Sequence, residues 1–384
     1  MATTKKMATG NMKAMWALLL TVIVVTALAP TAAAGQFKKP VYYQSDGNVW
    51  GIVAADFNHD GILDLAFTDL YQVGIMLGKR DGTFEAARYF GAPNALRLAV
   101  GDFNGDHNLD LAVVESAGTG NSSLGIFLGD GQGNFKSAGT YELGVESTSL
   151  AVADFNGDGR LDVAVTSRLG YGKNGYVGSI LVFFGKGDGT FGKPDTYWLG
   201  GQPYAVAAGD FNRDGHPDLA VVQFGGRSVS IFINDGNGKF THTRTYKCGG
   251  EGDYVAIADL RHDGKLDLII SAGGAGEIAV LLGNGDGTFG NASFYTTEPL
   301  GQGPQGVAIA DFRGGNRDIA VVLSNGYPGL FYGNGDGTFQ PAVHITGVDY
   351  RGYALTAGDF KKGGRPDLAV VAISKGIAAL INAQ

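Results

Sequence analysis

The chain has little of what usually staples a fold or gives it chemistry. Its 384 residues include one cysteine, Cys248, which excludes an intramolecular disulfide and any zinc cluster built on cysteine. Charged residues are 17% and the formal net charge is −8, so there is no basic footprint for nucleic acid. The H-E-x-x-H, G-x-S-x-G, P-loop and Rossmann signatures are all absent. Of the six histidines, His59, His107, His216 and His262 fall inside acidic loops, and His242 and His344 fall on expected outer strands. The sequence also shows no repeat-breaking Lys or Arg paired with Tyr, the sort of cluster an active site in a channel would need.

One long apolar run stands near the start. Lys5, Lys6 and Lys13 precede Ala14–Ala29, and Ala32-Ala33-Ala34 follows. A charged start, a short apolar stretch and a small-residue exit make an export signal. The strongly apolar part is shorter than the roughly 20 residues of a membrane span. Residues 1–34 are therefore expected to be a cleaved signal, with no membrane span afterwards. Residues 35–384 are the exported domain, secreted or, in a bacterium, periplasmic.

What is abundant is glycine, at 64 residues, and an acidic loop that recurs. Asp154-Phe155-Asn156-Gly157-Asp158-Gly159-Arg160-Leu161-Asp162 puts oxygen donors at positions 1, 3, 5 and 9 and glycine at position 6. The loop returns at Asp56, Asp102, Asp210, Asp259, Asp311 and Asp359, a period of about 50 residues that marks a repeat architecture. Each full unit has an apolar segment, the acidic loop, two more apolar segments, a glycine-rich turn ending in Phe, and a more polar fourth segment. Val206–Ala208, Leu219–Val222, Val229–Ile233 and Thr241–Tyr246 are one set. Such runs between Gly, Asp and Asn clusters are strands. Four strands per unit, repeated radially, make a propeller blade. The residue before each leading Asp is always Ala or Gly, as a crowded innermost strand requires.

The expected fold is thus all-β, a seven-bladed β-propeller of four-stranded antiparallel blades. The seventh unit stops after two apolar segments beyond its acidic loop. Gly35–Tyr43 resembles the missing piece, so the N-terminal strand is expected to pair into the last blade and remove an exposed edge.

The D-F-N-x-D-G-x-x-D-L loops and G-N-G-D-G-T-F turns resemble the FG-GAP/VCBS repeat family, best known from the seven-bladed propeller of integrin α subunits. The resemblance covers essentially all of residues 35–384. It implies calcium in the acidic loops and a role in adhesion or ligand binding; some members are lectins and some are modules of larger enzymes.

The seven loops differ in their donors. Complete sets stand at Asp56, Asn58, Asp60 and Asp64; at Asp102, Asn104, Asp106 and Asp110, where His107 replaces the glycine; at Asp154, Asn156, Asp158 and Asp162; and at Asp210, Asn212, Asp214 and Asp218. Many oxygens without strict octahedral geometry favour Ca²⁺ over Mg²⁺. The competing reading is that these residues only make Asx turns. The fifth loop keeps Asp259, Asp263 and Asp267 but has Arg261 at position 3. The expectation is four calcium ions, with the fifth loop left open. The sixth and seventh loops carry Arg313 with Gly315 and Lys361 with Gly363 at positions 3 and 5. There the basic side chain is expected to replace the ion between the two remaining Asp residues. The glycine turn's own Asp offers another place for a cation.

In an up-and-down blade the acidic loops and glycine turns share one face, and the non-repeating segments share the other. That second face carries Tyr171, Tyr176, Trp198 and Tyr204, the candidate ligand-binding residues. Six residues before the leading Asp residues stand Trp50, Leu96, Thr148, Tyr204, Asp253, Gln305 and Tyr353, at the expected channel mouth. Aromatic rings beside Asn, Gln and Asp suit a glycan or an extracellular protein ligand; the plainer reading is packing between blades. The leading functional reading is a non-enzymatic binding or adhesion module. The alternatives are a calcium-dependent, lyase-like polysaccharide-degrading enzyme and a purely structural envelope protein.

Overall fold

The computed structural model describes residues 36–45, 49–116, 121–172, 175–298, 300–348, 351–372 and 375–384. The expected signal, residues 1–34, lies outside the described residues. Among those described there is no α-helix, and apart from a 3-10 turn at Gly273–Ala275 the regular structure is strand.

Five sheets have four antiparallel strands each. In one, Pro203–Gly209, Asp218–Gln223, Ser228–Asn234 and Phe240–Lys247 pair in sequence order, with Val206 opposite Val221, Val221 opposite Ser230 and Ser230 opposite Thr245. The middle strands are buried on both faces and so read as unbroken apolar runs, such as Leu219–Val222. The outer strand, covered on one side only, is mostly exposed and polar between Phe240 and Lys247.

The sixth sheet departs from the expected one-blade pattern. It has seven strands, because Phe135–Ala153 serves twice. Its first part pairs with Asn121–Gly129 (Leu124 opposite Tyr141), and its last part pairs with Asp162–Gly172 (Val165 opposite Leu150). The physical reason is local. Thr140–Thr148 contains no proline, whereas another junction runs through Gly200-Gly201-Gln202-Pro203.

The displaced N-terminal strand pairs where its sequence suggests. Val41–Tyr43 lies antiparallel to Gly376–Leu380, with Val41 opposite Ala379 and Tyr43 opposite Ile377. Phe37 bridges to Asn382, and the Lys38 N–H donates to the Ile381 carbonyl at 2.8 Å.

Apolar clusters fill the spaces between successive sheets. One joins Ala164, Ile180 and Val182 to Leu219, Val221 and Phe232. The Phe of the glycine turn packs between units as expected. Phe240 meets Phe155 edge-to-face at 5.4 Å, and its N–H donates to the Tyr197 hydroxyl at 3.3 Å. Phe289 repeats this against Phe211 and Tyr246. The innermost strands touch in chain order: Val49–Ala55, Ala95–Gly101, the end of Phe135–Ala153, Pro203–Gly209, Gly252–Ala258, Gly301–Ala310 and Leu355–Gly358, which touches Val49–Ala55 again. A cavity of about 100 Å³ lies at their centre, lined by residues from these strands and by Trp50, Arg97, Tyr254 and Tyr353.

Candidate functional site

The acidic loops are held by their own side chains. In the third loop, Gly157 N–H donates to Asp154 Oδ1 and Gly159 N–H to Asp154 Oδ2, both at 2.8 Å. Asn156 Oδ1 accepts from Asp158 N–H at 3.0 Å, and Asp158 Oδ1 accepts from Arg160 N–H at 2.9 Å. The first, second and fourth loops repeat the pattern at Asp56, Asn58 and Asp60, at Asp102, Asn104 and Asp106, and at Asp210, Asn212 and Asp214. These are Asx-type turns, so the same residues that could ligate also shape the backbone. Position 6 needs a left-handed residue: Gly159 has φ 80°, and His107, the exception, adopts φ 69° as expected.

Position 9 does something the sequence did not reveal. Asp162 is fully buried; its Oδ2 accepts the Phe155 N–H at 2.9 Å and its Oδ1 the Gly185 N–H at 2.8 Å. It thereby bolts the acidic loop to the end of the third strand. Asp64, Asp110 and Asp218 do the same in the other complete loops, and Asp267, Asp318 and Asp367 do so in the last three. Burial pushes Asp64, Asp110, Asp162 and Asp218 up to about 6, against the two N–H bonds, which pull each down.

Among the described residues, no three His, Cys, Asp or Glu side chains are drawn together as a metal cluster. The donors of the complete loops nonetheless fit a hard cation, because positions 1, 3, 5 and 9 offer only carboxylate and amide oxygens. The fifth loop shows what such a seat accepts. Arg261 reaches Asp267 at 2.8 Å, Asp263 at 3.3 Å and the Gly283 carbonyl at 2.7 Å. A side-chain cation thus stands against the position-5 and position-9 carboxylates.

In the sixth and seventh loops the basic group goes deeper than expected. Arg313 reaches Asp318 and the Gly333 carbonyl, both at 3.5 Å, and lies 3.8 Å over the Tyr332 ring. Lys361 donates to the Asn382 carbonyl. Neither sits between the two remaining Asp residues; Asp311 and Asp359 are occupied by the N–H groups of Gly314, Gly315, Gly363 and Gly364. A backbone carbonyl at the end of the third strand completes the inner seat, and that group is invisible in the side-chain pattern. Burial also raises Asp318 and Asp367, but Arg313 and Lys361 pull them back.

The glycine turns are self-contained. Asp188 Oδ1 accepts both the N–H and the hydroxyl of Thr190, at 2.9 and 2.6 Å, and these bonds hold its carboxyl below the usual range.

On the opposite face the candidate rings separate. Trp198, at the end of an outer strand, is 53% exposed. Tyr204 packs instead against Phe224 at 5.4 Å and under the Arg168 guanidinium at 5.5 Å. Tyr171 and Tyr176 oppose each other at the tip of a hairpin, and their side chains lie outside the described residues. Tyr71 and Tyr327, in turns between second and third strands, are 71% and 45% exposed.

The axial cavity corrects one expectation. Arg97 and Tyr254 both line it, from strands on opposite sides of the cycle. Arg97 is held by the carbonyls of Trp50 and Leu96. Burial raises the Tyr254 phenol, and the Arg97 charge draws it back. Beside Tyr254, Asp253 accepts from Gln305 Nε2 at 2.9 Å, and burial raises its carboxyl to about 6. Trp50 and Tyr353 stack at 4.3 Å with 21° between their planes. The signal was available one column inward from the expected mouth. Five residues before each leading Asp stand Gly51, Arg97, Ser149, Ala205, Tyr254, Gly306 and Ala354: five small residues and two large polar ones.

Comparison with known proteins gives a consistent fold. The model of the FG-GAP-like repeat matches residues 56–113, 102–165, 170–221, 210–270 and 259–314. The bovine (Bos taurus) phosphatidylinositol-glycan-specific phospholipase D is 29% identical over 181 residues, 45% of this chain and 18% of that protein. The chain thus matches less than a fifth of the length of its curated relatives. A crystal structure of BBS1N in complex with ARL6DN superposes with a TM-score of 0.63 at 13% identity, covering 91% of this chain and 97% of that one. Chaetomium thermophilum Raptor gives 0.59 at 11% identity, over 91% of this chain and 29% of its own. Among the described residues no helix is long and apolar enough to cross a membrane.

Proposed function

Because this chain belongs to the FG-GAP-like repeat family, we propose that it is a seven-bladed β-propeller, exported by residues 1–34 and stabilised by calcium, that binds an extracellular glycan or protein ligand and catalyses no reaction. The seven-blade reading draws support from the cyclic contacts of the inner strands and from the clasp of Val41–Tyr43 on Gly376–Leu380. The shared strand Phe135–Ala153 joins two blades into one sheet. On this reading calcium would sit in the four complete loops, where Asp56, Asp102, Asp154 and Asp210 lead sets of three carboxylates, and not in the fifth, where Arg261 meets Asp263 and Asp267. Bound calcium would supply positive charge there; the loop residues themselves hold the turn and present oxygens to it.

One observation carries the binding role: large exposed rings stand on the face away from the acidic loops, one in each of three units. Tyr71, Trp198 and Tyr327 are all exposed there. An exposed aromatic ring offers a large apolar body for stacking on a ligand or packing on a partner. Trp198→Ala with Tyr71→Ala is expected to weaken ligand capture on a glycan array or in a pull-down while leaving the melting temperature within about 2 °C. Equal loss of binding and stability would turn these rings into packing.

The Arg97–Tyr254 pair favours a second reading, an extracellular polysaccharide-degrading enzyme. Its weakness is Tyr254 itself, which holds its proton at neutral pH and so is no ready base. Release of unsaturated products from acidic polysaccharides would establish that reading over the first.

A further inference from the structure

Among the described residues that line the axial cavity, Arg97 carries the one formal charge. Arg168, Arg261 and Arg313 are half-buried, and each meets a carboxylate within 3.5 Å. Arg97 is half-buried as well, and among the described residues it pairs with none. Its Nη1 donates to the Trp50 and Leu96 carbonyls. That leaves the Nε–Nη2 edge, a fork of parallel N–H groups that a carboxylate fits. Asp253 does not take that place. Its carboxylate accepts from Gln305 Nε2 at 2.9 Å, lies against Gly273 and stands outside the lining.

Two further donors belong to the lining. The Tyr254 hydroxyl has no hydrogen-bond partner among the described residues. Ser149 Oγ accepts the Val206 N–H at 3.3 Å, which leaves its own proton free to donate. Most of the remaining wall is apolar, with Ile52, Leu98, Leu150 and Leu355 beside the stacked rings of Trp50 and Tyr353. A lone cation in a partly desolvated void attracts a negative charge and repels an ammonium group. The apolar wall favours an anion with a hydrocarbon tail over a bare, strongly hydrated ion. Size adds a limit. A void of about 100 Å³ has room for several waters, and so for a carboxylate with a short tail but not for a sugar ring. We propose that the axial cavity binds a short-chain monocarboxylate of acetate or propionate size. Its carboxylate meets the open edge of Arg97 and the Tyr254 and Ser149 hydroxyls, and its tail lies on the apolar wall. This site goes beyond ligand capture by the exposed rings and does not depend on it.

The test is saturation-transfer NMR on the purified protein in calcium-containing buffer free of other carboxylates and of phosphate. The probes are acetate, propionate, acetamide, ethylamine and glycine, with sodium chloride as competitor. Acetate or propionate is expected to bind in the millimolar range, and acetamide, ethylamine and glycine about tenfold or more weaker. Arg97→Gln should weaken the acid about tenfold or more, and Tyr254→Phe about threefold. If Arg97→Gln fails to fold, as judged by near-UV circular dichroism, Tyr254→Phe combined with Ser149→Ala replaces it, with a loss of about tenfold expected. No response to either acid, acetamide bound as tightly as acetate, or equal displacement by chloride at matched concentration would overturn the proposal. Acid binding that survives these substitutions would overturn it too. Failure of Trp198→Ala with Tyr71→Ala to weaken ligand capture would sink the reading of the exposed rings and leave acid binding in the cavity untouched.

Discussion

The third and fifth acidic loops lie on one frame and settle their charge in two ways. Both anchor a buried position-9 Asp to the N–H groups of position 2 and of the third strand's end: Asp162 to Phe155 and Gly185, Asp267 to Leu260 and Gly283. Both have a left-handed glycine at position 6. In the third loop position 3 is Asn156, and among the described residues the one cationic contact on its three carboxylates is a looser one, Arg160 to Asp158 at 3.8 Å. In the fifth it is Arg261, whose guanidinium supplies that charge. The comparison teaches that the loop's shape belongs to the Asp–amide bolts, and that the charge in the seat is a separate part, carried by Arg261 in the fifth loop and, as we propose, by calcium in the third. A covalently carried charge costs no ion and cannot be removed by dilution.

The largest expected effect comes from stripping the proposed calcium. An ion that binds only the folded state contributes roughly 2.7 kcal/mol per site at a hundredfold excess over Kd. Chelator should lower the melting temperature strongly, and elemental analysis before chelation should find four calcium ions. Seven ions would break the distinction between the loops; none would show that the bolts alone suffice.

Breaking a bolt comes next. Asp162→Ala and Asp367→Ala each strand two buried N–H groups, at about 2–4 kcal/mol. Measured by chemical denaturation in chelator, the two losses should be alike; with calcium, Asp162→Ala should cost more because it also loses an ion. A small effect at Asp367 would mean that the bolt matters only beside a metal.

Arg261→Asn turns the fifth loop into a copy of the third. It should bind a fifth calcium, seen by titration calorimetry, and lose about 1–2 kcal/mol without it, since Asp267 then keeps its two N–H donors but loses its charged hydrogen bond. Failure to gain an ion would place the difference elsewhere than position 3.

The last effect is a reversal with pH. Asp64, Asp110, Asp162 and Asp218 sit at about 6 when folded, above the ordinary carboxylate value of about 3.9. Between those values the folded state holds more protons than the unfolded state, so stability rises as pH falls. In chelator, the melting temperature should be higher at pH 5 than at pH 7.5. With calcium bound the rise should vanish, because the cation favours the ionised form.

Much of this was legible in advance because repetition exposes it. The leading Asp residues, the small residue before each, and the likeness of Phe37–Tyr43 to Phe339–Ile345 each stand out against other copies of the same unit. What repetition hides is anything used once. Arg97 and Tyr254 occupy a column that looks empty until the strands are closed around an axis, since each is a lone exception among small residues. Tyr204 and Trp198 looked alike as aromatic insertions, yet only the structure tells a ring under Arg168 from one in solvent. The inner seat used by Arg313 and Lys361 ends in a backbone carbonyl, which no side-chain pattern can report. The junction at Thr140–Thr148 lacked a break, but an absent break is a weak mark among 64 glycines.

The strand Phe135–Ala153 also decides where the molecule can come apart. Elsewhere neighbouring sheets meet through side chains, a covalent linker and isolated backbone bonds such as Gly287 N–H to the Phe211 carbonyl at 2.9 Å, so a seam can open while both ladders survive. From Ala95 to Trp198 the backbone ladder runs on through one shared strand, leaving no seam of that kind. Breathing motions must therefore gather at the other junctions. Slow amide exchange is expected over the described strands between Ala95 and Trp198 as one cooperative block, with the junctions outside it opening first.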